Sequence, residues 1–555
     1  MMQNPRIFLL VALAIVLWLN YQAWVRDYSP AAGVTASQTA LAPVKRRDLA
    51  TELPQAAAES GGKPAPAAVP GVPAASAADS GAGIVHVRTD VLDLDIDRKG
   101  GTLRRADLPR YPQVKGGSVP VRLMNADPDT LYLLQTGLTG AGDSPHPTHL
   151  ALFESDRADY TLGDAGELRV PLHWTDGNGV EVTKTYLFHR GSYRIDVEYD
   201  VVNHSAGTWA GAPYAQILRN DPPTKSSMFD VQSRAFHGPA LWDGAKYRKL
   251  NIADKDDSAL KLDVTHGWVA ALQHHFVAAI VPPADAAYHY TLGVEGTQYL
   301  LTVRGPSRPV EAGATGHFEQ NLFVGPKLQA QLESLHPELE RVADFGHLYF
   351  LAKPLFWLLQ HIYNGLHNWG LAIIIVTFLL KLAFYPLSET SGRSMAKMKL
   401  LSPRIKNLQE TYKDDREKLG RAMMDLYKRE KVNPVAGCLP VIIQIPVFLA
   451  FYWVLLESVE MRQAPFMGWI NDLSSRDPFF ILPAIMAAAM FVQYKLNPQV
   501  GDPVQQKVMM IMPLAMSVMF AFFPAGLVLY WVTNTLLSIA QQWNINRRIE
   551  AAKKN

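Results

Sequence analysis

Residues 366–387 read LHNWGLAIIIVTFLLKLAFYPL, an apolar run interrupted by one charge, Lys381. At ~1.5 Å per residue a helix of this length matches a bilayer's hydrocarbon core of about 30 Å. Four further apolar segments follow, 436–457, 479–496, 507–523 and 525–545. Several are short, and Pro440, Pro446, Pro483 and Pro513 lie within them. Membrane helices tolerate proline where neighbours satisfy the freed carbonyls. Pro524-Ala525-Gly526 marks a tight hairpin between the last two segments.

Charge between the segments sets an orientation. Residues 388–432 carry twelve Lys/Arg against seven Asp/Glu, a net of +5, whereas 458–478 has only Arg462 and Arg476 as basic residues. The positive-inside rule places 388–432 in the cytoplasm and 458–478 outside. Lys495 and Lys507 flank the next inside loop, and Arg547, Arg548, Lys553 and Lys554 end a basic cytoplasmic tail, 546–555.

Upstream, residues 7–25 form another run long enough to span, preceded by Arg6 and edged by Trp18, Tyr21, Trp24 and Tyr28. A cleavable signal peptide is the competing reading, but no tidy Ala-x-Ala site follows closely, so residues 1–28 are read as an uncleaved anchor. Six spans with both termini cytoplasmic satisfy all these charge signals. Residues 29–83, rich in Ala, Pro, Gly and Ser, have little to bury and read as a disordered tether. From 84 to 335 apolar and polar residues alternate, as in VHVRTDVLDLDID and GVEVTKTYLFHRGSYRIDVEYDVVNHS, with turn signals DGNG and HRGS. This pattern predicts an antiparallel β-sandwich outside the cytoplasm. An amphipathic helix over 340–365, interrupted at Pro354, is expected to lie in the outer interface. The fold class is therefore a multi-pass α-helical membrane protein with a large periplasmic β-sandwich.

Within 388–432, Met395, Met398 and Leu401 form one stripe, and Leu419, Met423 and Leu426 another. A helical hairpin is predicted, with breaks at Ser402-Pro403 and Lys413-Asp414-Asp415. From charge alone, a solvated hairpin that sets topology is the better reading; a docking surface for ribosomal RNA or anionic lipid is the sharper one.

Lys381 lies about 10 Å inside the helix end, counted from Ser388. A cation near the bilayer centre costs about 2.5–3.5 kcal/mol on insertion scales, reduced by snorkelling. The five spans contain no Asp or Glu apart from Glu457 at an outer end, but they carry Thr377, Gln444, Gln493, Thr533 and Asn534. A cation among neutral polar side chains suggests a water-filled recess that attracts anionic groups. Taken singly, each neutral residue is more commonly an interhelical hydrogen-bonding group. Of 17 methionines, thirteen follow residue 390. That suits a surface accepting varied apolar partners, and equally a packed membrane core.

Other chemistry is excluded. One cysteine, Cys438, permits no intrachain disulfide, and no histidine follows His367. Net charge is +2, which gives no global argument for nucleic acid. HExxH, G-x-S-x-G and P-loop motifs are missing, and GGKP at 61–64 lacks phosphate-loop spacing. No enzymatic mechanism, metal site or cofactor is read from the chain.

The strings NWGLAIIIVTFLLKLAFYPLSETSGRSMAKMKLLSPRI, DLYKREKVNPVAGCLPVIIQIPVFLAFYWVL, RQAPFMGWINDLS and FPAGLVLYWVTN, with GSYRIDVEYDVVNHS and FVGPK upstream, resemble the Gram-negative YidC insertases of the Oxa-type superfamily. The resemblance implies a protein that inserts nascent membrane proteins, alone or beside the SecYEG translocon and its accessory subunits. It implies five core helices around a hydrophilic groove closed to the outside. Lys381 falls where many relatives carry arginine, which keeps the charge but loses the bidentate fork. Thr377, Tyr530 and Trp531 carry over as groove residues, the last in place of tyrosine; Gln444 and Asn534 join them as candidate lining. The hairpin matches a loop implicated in substrate and ribosome contact, which turns Arg393, Lys397, Lys399, Arg404, Lys406, Lys413 and Arg416 into a candidate docking surface and favours docking over the solvated reading. Membrane lipid is a further implied partner. The outer domain is implied to be a β-supersandwich like sugar-binding folds. Two rival functions remain: a small-molecule transporter, which predicts inverted repeats, and a membrane-anchored periplasmic carbohydrate-binding protein, which predicts activity in 84–335 alone.

Overall fold

The structure is a computed structural model that describes residues 47–54, 83–140, 145–222, 235–412, 415–430, 439–496 and 503–554. The segment 1–28 read as an anchor, most of the tether, Lys413 and Cys438 lie outside the described residues. From Asp48 onward the chain forms one compact unit.

Alternation in the sequence becomes strand pairing. Among the described residues, the strands between Ile84 and Pro326 form an eleven-stranded and an eight-stranded sheet. Leu94, Ile96, Leu103 and Leu134 of the larger sheet share one core with Val170, Val182, Val197 and Val201 of the smaller. The DGNG signal closes a hairpin between Glu167–Thr175 and Val180–His189. Gly177 and Gly179 take φ of 74° and 103° there, a region that side chains with a Cβ enter at a cost. One pairing departs from the antiparallel expectation: Ile84–Arg88 lies parallel to Asp159–Thr161. The long stretch of chain between them supplies the crossover that parallel pairing needs.

The tether also departs from its reading. Residues 49–51 form a 3-10 turn capped by Asp48, whose Oδ1 accepts from Ala50 N at 3.1 Å. Leu49 is buried against Leu218 and Leu300. His149 Nε2 donates to Ala50 O (3.1 Å), and the Gln135 and Gln216 amides donate to Ala50 O and Glu52 O (3.3 and 3.4 Å). One leucine and a run of backbone carbonyls suffice to pin a segment whose average composition offers little to bury.

The core of the sandwich also holds a charge-bearing side chain, on the same strand face as the buried Val180, Val182 and Tyr186. Lys184 is fully buried, with Nζ donating to the carbonyls of Gly100 (2.8 Å), Thr136 (3.1 Å) and Gly101 (3.3 Å). Burial pushes its pKa well below the usual lysine value.

From Tyr349 on, the described residues form eight helices: α1 Tyr349–Leu366, α2 Trp369–Ala383, α3 Tyr385–Thr411, α4 Arg416–Arg429, α5 Leu439–Glu457, α6 Ile481–Leu496, α7 Pro503–Phe520 and α8 Ala525–Lys554. The region 340–365 opens with 3-10 turns at Leu339–Ala343 and Gly346–Leu348, and its helix begins only at Tyr349 and runs through Pro354. Ser402-Pro403 does not break the hairpin's first arm, because α3 runs through Pro403, which is exposed. Water can meet the carbonyl that proline leaves without a donor. The run 366–387 is not one straight rod: α2 and the start of α3 meet at a 61° bend beside Phe384. Nor does 545 end an element, since α8 continues to Lys554.

Leu359 of α1, Ile373 and Val376 of α2, Val454 of α5, Met486 of α6 and Val528 of α8 make one buried cluster. Outside it, Phe378, Leu382, Ile442, Leu449, Phe491, Met510, Val518, Leu536 and Trp543 are exposed. So wide an apolar surface marks a face that water does not cover. Among the described residues no single helix is long and apolar enough to cross a membrane; the bent pair of α2 with Tyr385–Ser394 passes together on length and composition.

The sandwich and the bundle meet at the end of α5, along the loop after it and just before α1. His274 Nε2 donates to Leu456 O (3.1 Å), and Arg462 and Gln463 donate to Pro112 O (2.8 and 2.9 Å). Lys115 hydrogen-bonds Asn471 O, and Lys249 pairs with Asp344. The same loop holds the α7–α8 turn: Ala525 N donates to Ser475 O and Gly526 N to Leu473 O.

Candidate functional site

Two helices bring the polar residues of the bundle together. α2 is set at its start by Asn368, whose Oδ1 accepts from Leu371 N (3.0 Å) while its amide donates to Phe466 O (2.9 Å). α8 is set by its backbone bonds to the 473–475 loop. Lys381 lies 12 residues into α2 and Ser538 lies 13 into α8, so at ~1.5 Å per residue both sit about 18–20 Å from their helix starts.

At that depth the half-buried Lys381 Nζ donates to Ser538 Oγ (2.8 Å). Ser538 Oγ in turn donates to the Asn534 carbonyl one turn earlier (2.7 Å). Asn534 Oδ1 accepts from Gln444 Nε2 on α5 (2.8 Å). Three helices thus share a polar line, Lys381–Ser538–Asn534–Gln444, inside an otherwise apolar bundle. Among the described residues no carboxylate pairs with Lys381.

The other expected groove residues divide. Tyr530 is buried, its ring 4.9 Å from Phe451 and 5.9 Å from Phe448, and its hydroxyl interacts with Gln444. Trp531 is half-buried between Phe448 (4.7 Å) and Phe520 (5.3 Å), with an indole N–H that is buried and finds no acceptor among the described residues. Thr377 is on the Lys381 side of α2, one turn back, but it is buried and its hydroxyl donates to Ile373 O (2.6 Å). Its hydrogen is already used within its own helix. Ser538 escaped notice in the sequence, although its i+4 spacing from Asn534 puts both on one face of α8.

The basic hairpin has a small core of Met398, Leu401, Ile405 and Tyr427. It lies against the far end of α8, where Gly392 permits the approach: a Cβ there would come within 2.8 Å of Ile545. Arg393 pairs with Glu389 along α3 (2.7 Å), and Arg404 reaches Glu430 at the end of α4 (2.5 Å). Lys397 and Arg404 are exposed. Lys399, Lys406 and Arg416 fall on these helices. Surface pairs of this kind add little stability, about 0–1 kcal/mol.

Chemically this polar line offers hydrogen-bonding groups and one cation. Among the described residues no group of three or more His, Cys, Asp or Glu could hold a metal ion.

Two family models match the chain, one described as the 60Kd inner membrane protein over residues 361–553 and one as the YidC periplasmic domain over 84–358. The membrane protein insertase YidC of Thioalkalivibrio sulfidiphilus is 46% identical over 565 residues, covering 100% of both chains. That of Azotobacter vinelandii is 44% identical over 556 residues, covering 99% of each. Among solved structures, an active YidC insertase with its first transmembrane domain resolved aligns over 83% of this chain and 92% of that one, at 18% identity and a TM-score of 0.37. A galactose mutarotase-like protein from Lactobacillus casei aligns over 44% of this chain and 100% of that one, at 10% identity and a TM-score of 0.30.

Proposed function

The chain belongs to the YidC family of membrane protein insertases, and from that premise we propose how its bundle does the work. The protein is a bacterial inner-membrane insertase with a periplasmic β-domain, and nascent membrane proteins are its substrates. Neither transport of a small molecule nor carbohydrate binding is favoured by these relatives, and the protein is read as non-enzymatic.

The observation that carries the mechanism is the polar line Lys381–Ser538–Asn534–Gln444 among apolar helices. A polar tail crossing lipid loses its water, at several kcal/mol for each unsatisfied group. A hydrated groove walled by these side chains shortens the dry path. The Lys381 ammonium attracts acidic stretches of the incoming tail, while Tyr530, Trp531 and neighbouring aromatics offer an apolar slide. The client's hydrophobic segment then moves into lipid and gains burial. No nucleotide enters this step.

Six spans serve this mechanism: the N-terminal anchor and the five segments that hold α2, α5, α6, α7 and α8, with both termini cytoplasmic. Two contacts support that orientation. The loop 458–478 and the α7–α8 turn lie at the end of the bundle that touches the β-domain. The hairpin meets α8 at the opposite end, beside Ile545. The hairpin is then a cytoplasmic reception surface for the ribosome or anionic lipid, with Arg393, Lys397, Lys399, Arg404, Lys406, Lys413 and Arg416 as its candidate docking residues. The Sec translocon and its accessory subunits are further partners of the same reading. The test is depletion of the protein followed by protease protection of short single-span clients. Their insertion should fall; undiminished insertion overturns the function.

A further inference from the structure

We propose that Ser538 is a positioning residue of the insertase: its hydroxyl holds the Lys381 ammonium in place without neutralising it, and thereby sets the preference for acidic client segments. The inference rests on the reading of Lys381 as the groove cation.

The geometry has a direction. Ser538 Oγ lies 2.7 Å from the Asn534 carbonyl, which can only accept, so the serine hydrogen is committed to its own helix. What it presents to α2 is lone pairs, and Lys381 Nζ meets them at 2.8 Å. Asn534 is itself tied to Gln444 on α5. The acceptor is therefore fixed on a braced turn of α8 rather than on a free rotor. A lysine has three N–H donors on a flexible stem, and free rotation would spread its charge over many positions. One bond to a fixed neutral acceptor removes much of that spread and leaves two N–H groups for an incoming carboxylate. An acidic partner would hold the ammonium as well but would cancel the field that attracts the client. Serine is short, uncharged and able to bond back to its i−4 carbonyl, which are the properties this position needs.

The readout is the ratio of acidic-tailed to neutral-tailed single-span clients inserted, scored by protease protection in cells depleted of the native protein and supplied with full-length variants. Ser538→Ala should lower that ratio roughly threefold to tenfold, the scale of one ordinary net hydrogen bond, since the ammonium keeps its other donors for water or client. Ser538→Thr, which keeps the hydroxyl and the back-bond, should restore it. In a Lys381→Ala background, Ser538→Ala should change the ratio no further. An unchanged ratio in Ser538→Ala, an equal loss for both clients, a failed threonine rescue, or a second drop in the Lys381→Ala background overturns the positioning role. The groove reading fails separately: there, Lys381→Ala itself leaves the ratio unaltered.

Discussion

The Gln444 side-chain amide donates a 2.8 Å hydrogen bond to Oδ1 of Asn534, 90 residues later in the chain, and so ties α5 to α8 in the middle of an apolar bundle. Interhelical bonds of this type are worth about 0.6–2 kcal/mol in membranes. Gln444→Leu leaves the Asn534 oxygen without its donor, and Asn534→Leu does the reverse. Each should lower thermal stability in detergent by roughly 1 kcal/mol, and the double replacement by less than the sum, because the two partners of the bond are removed together. Insertion should stay impaired in the double variant, since half of the polar line is gone. Full insertion activity in that variant would contradict the groove.

Lys184 makes a sharper demand on the β-domain. Its amine meets three carbonyls, of which that of Gly101 also accepts from the Tyr186 hydroxyl. Lys184→Met keeps the volume and removes the donor they share, which should destabilise the domain by about 2–3 kcal/mol. A drop of several degrees in the unfolding midpoint of the β-domain is expected in full-length protein. An unchanged midpoint would show that the carbonyls find other partners.

Two histidines, His149 buried and His274 half-buried, give the outer domain an acid limit. Burial pushes His149 down to about 4, and burial together with the nearby Lys327 pushes His274 down to about 4. Each binds a proton more readily when unfolded, where the ordinary value is about 6.5. Below pH 6.5 the unfolded chain therefore takes up more protons, and stability falls as the pH falls towards 4. Each site should account for roughly 3 kcal/mol across that window. Calorimetry at pH 7, 5 and 4 should show the decline, less steep in His149→Gln. A flat profile would mean that neither site stays neutral in the folded state.

Leu49 anchors the pinned part of the tether against Leu218 and Leu300. Full burial of a leucine contributes about 1.5–3 kcal/mol. Leu49→Asp should release residues 48–52 and speed trypsin cleavage after Arg47. Equal cleavage in both proteins would show that the carbonyl contacts to His149, Gln135 and Gln216 hold the segment alone.

Much of this architecture was legible beforehand because it rests on periodicity. Alternation over 84–335 located the strands, and Gly177 and Gly179 marked their hairpin. What escaped was set by contacts far apart in sequence. Leu49 looks like one leucine in a polar tether until Leu218 and Leu300 are placed beside it. Lys184 sits in an alternating strand where a lysine normally points to solvent. Pro403 suggested a break, but an exposed carbonyl can turn to water and the helix continues. Along the polar line, the types of Lys381, Gln444 and Asn534 were readable as polar residues in apolar runs. Ser538 was not, because serine in a membrane helix is commonplace and only its closeness to Lys381 gives it meaning.

The most direct measurement is insertion of a single-span client with an acidic translocated tail by cells carrying only Lys381→Arg or only Lys381→Glu. A guanidinium keeps the charge in the groove and a carboxylate reverses it. Insertion should persist with Lys381→Arg and fail with Lys381→Glu, while a neutral-tailed client separates the two variants far less. Equal insertion of the acidic-tailed client by both variants would contradict an electrostatic role for Lys381.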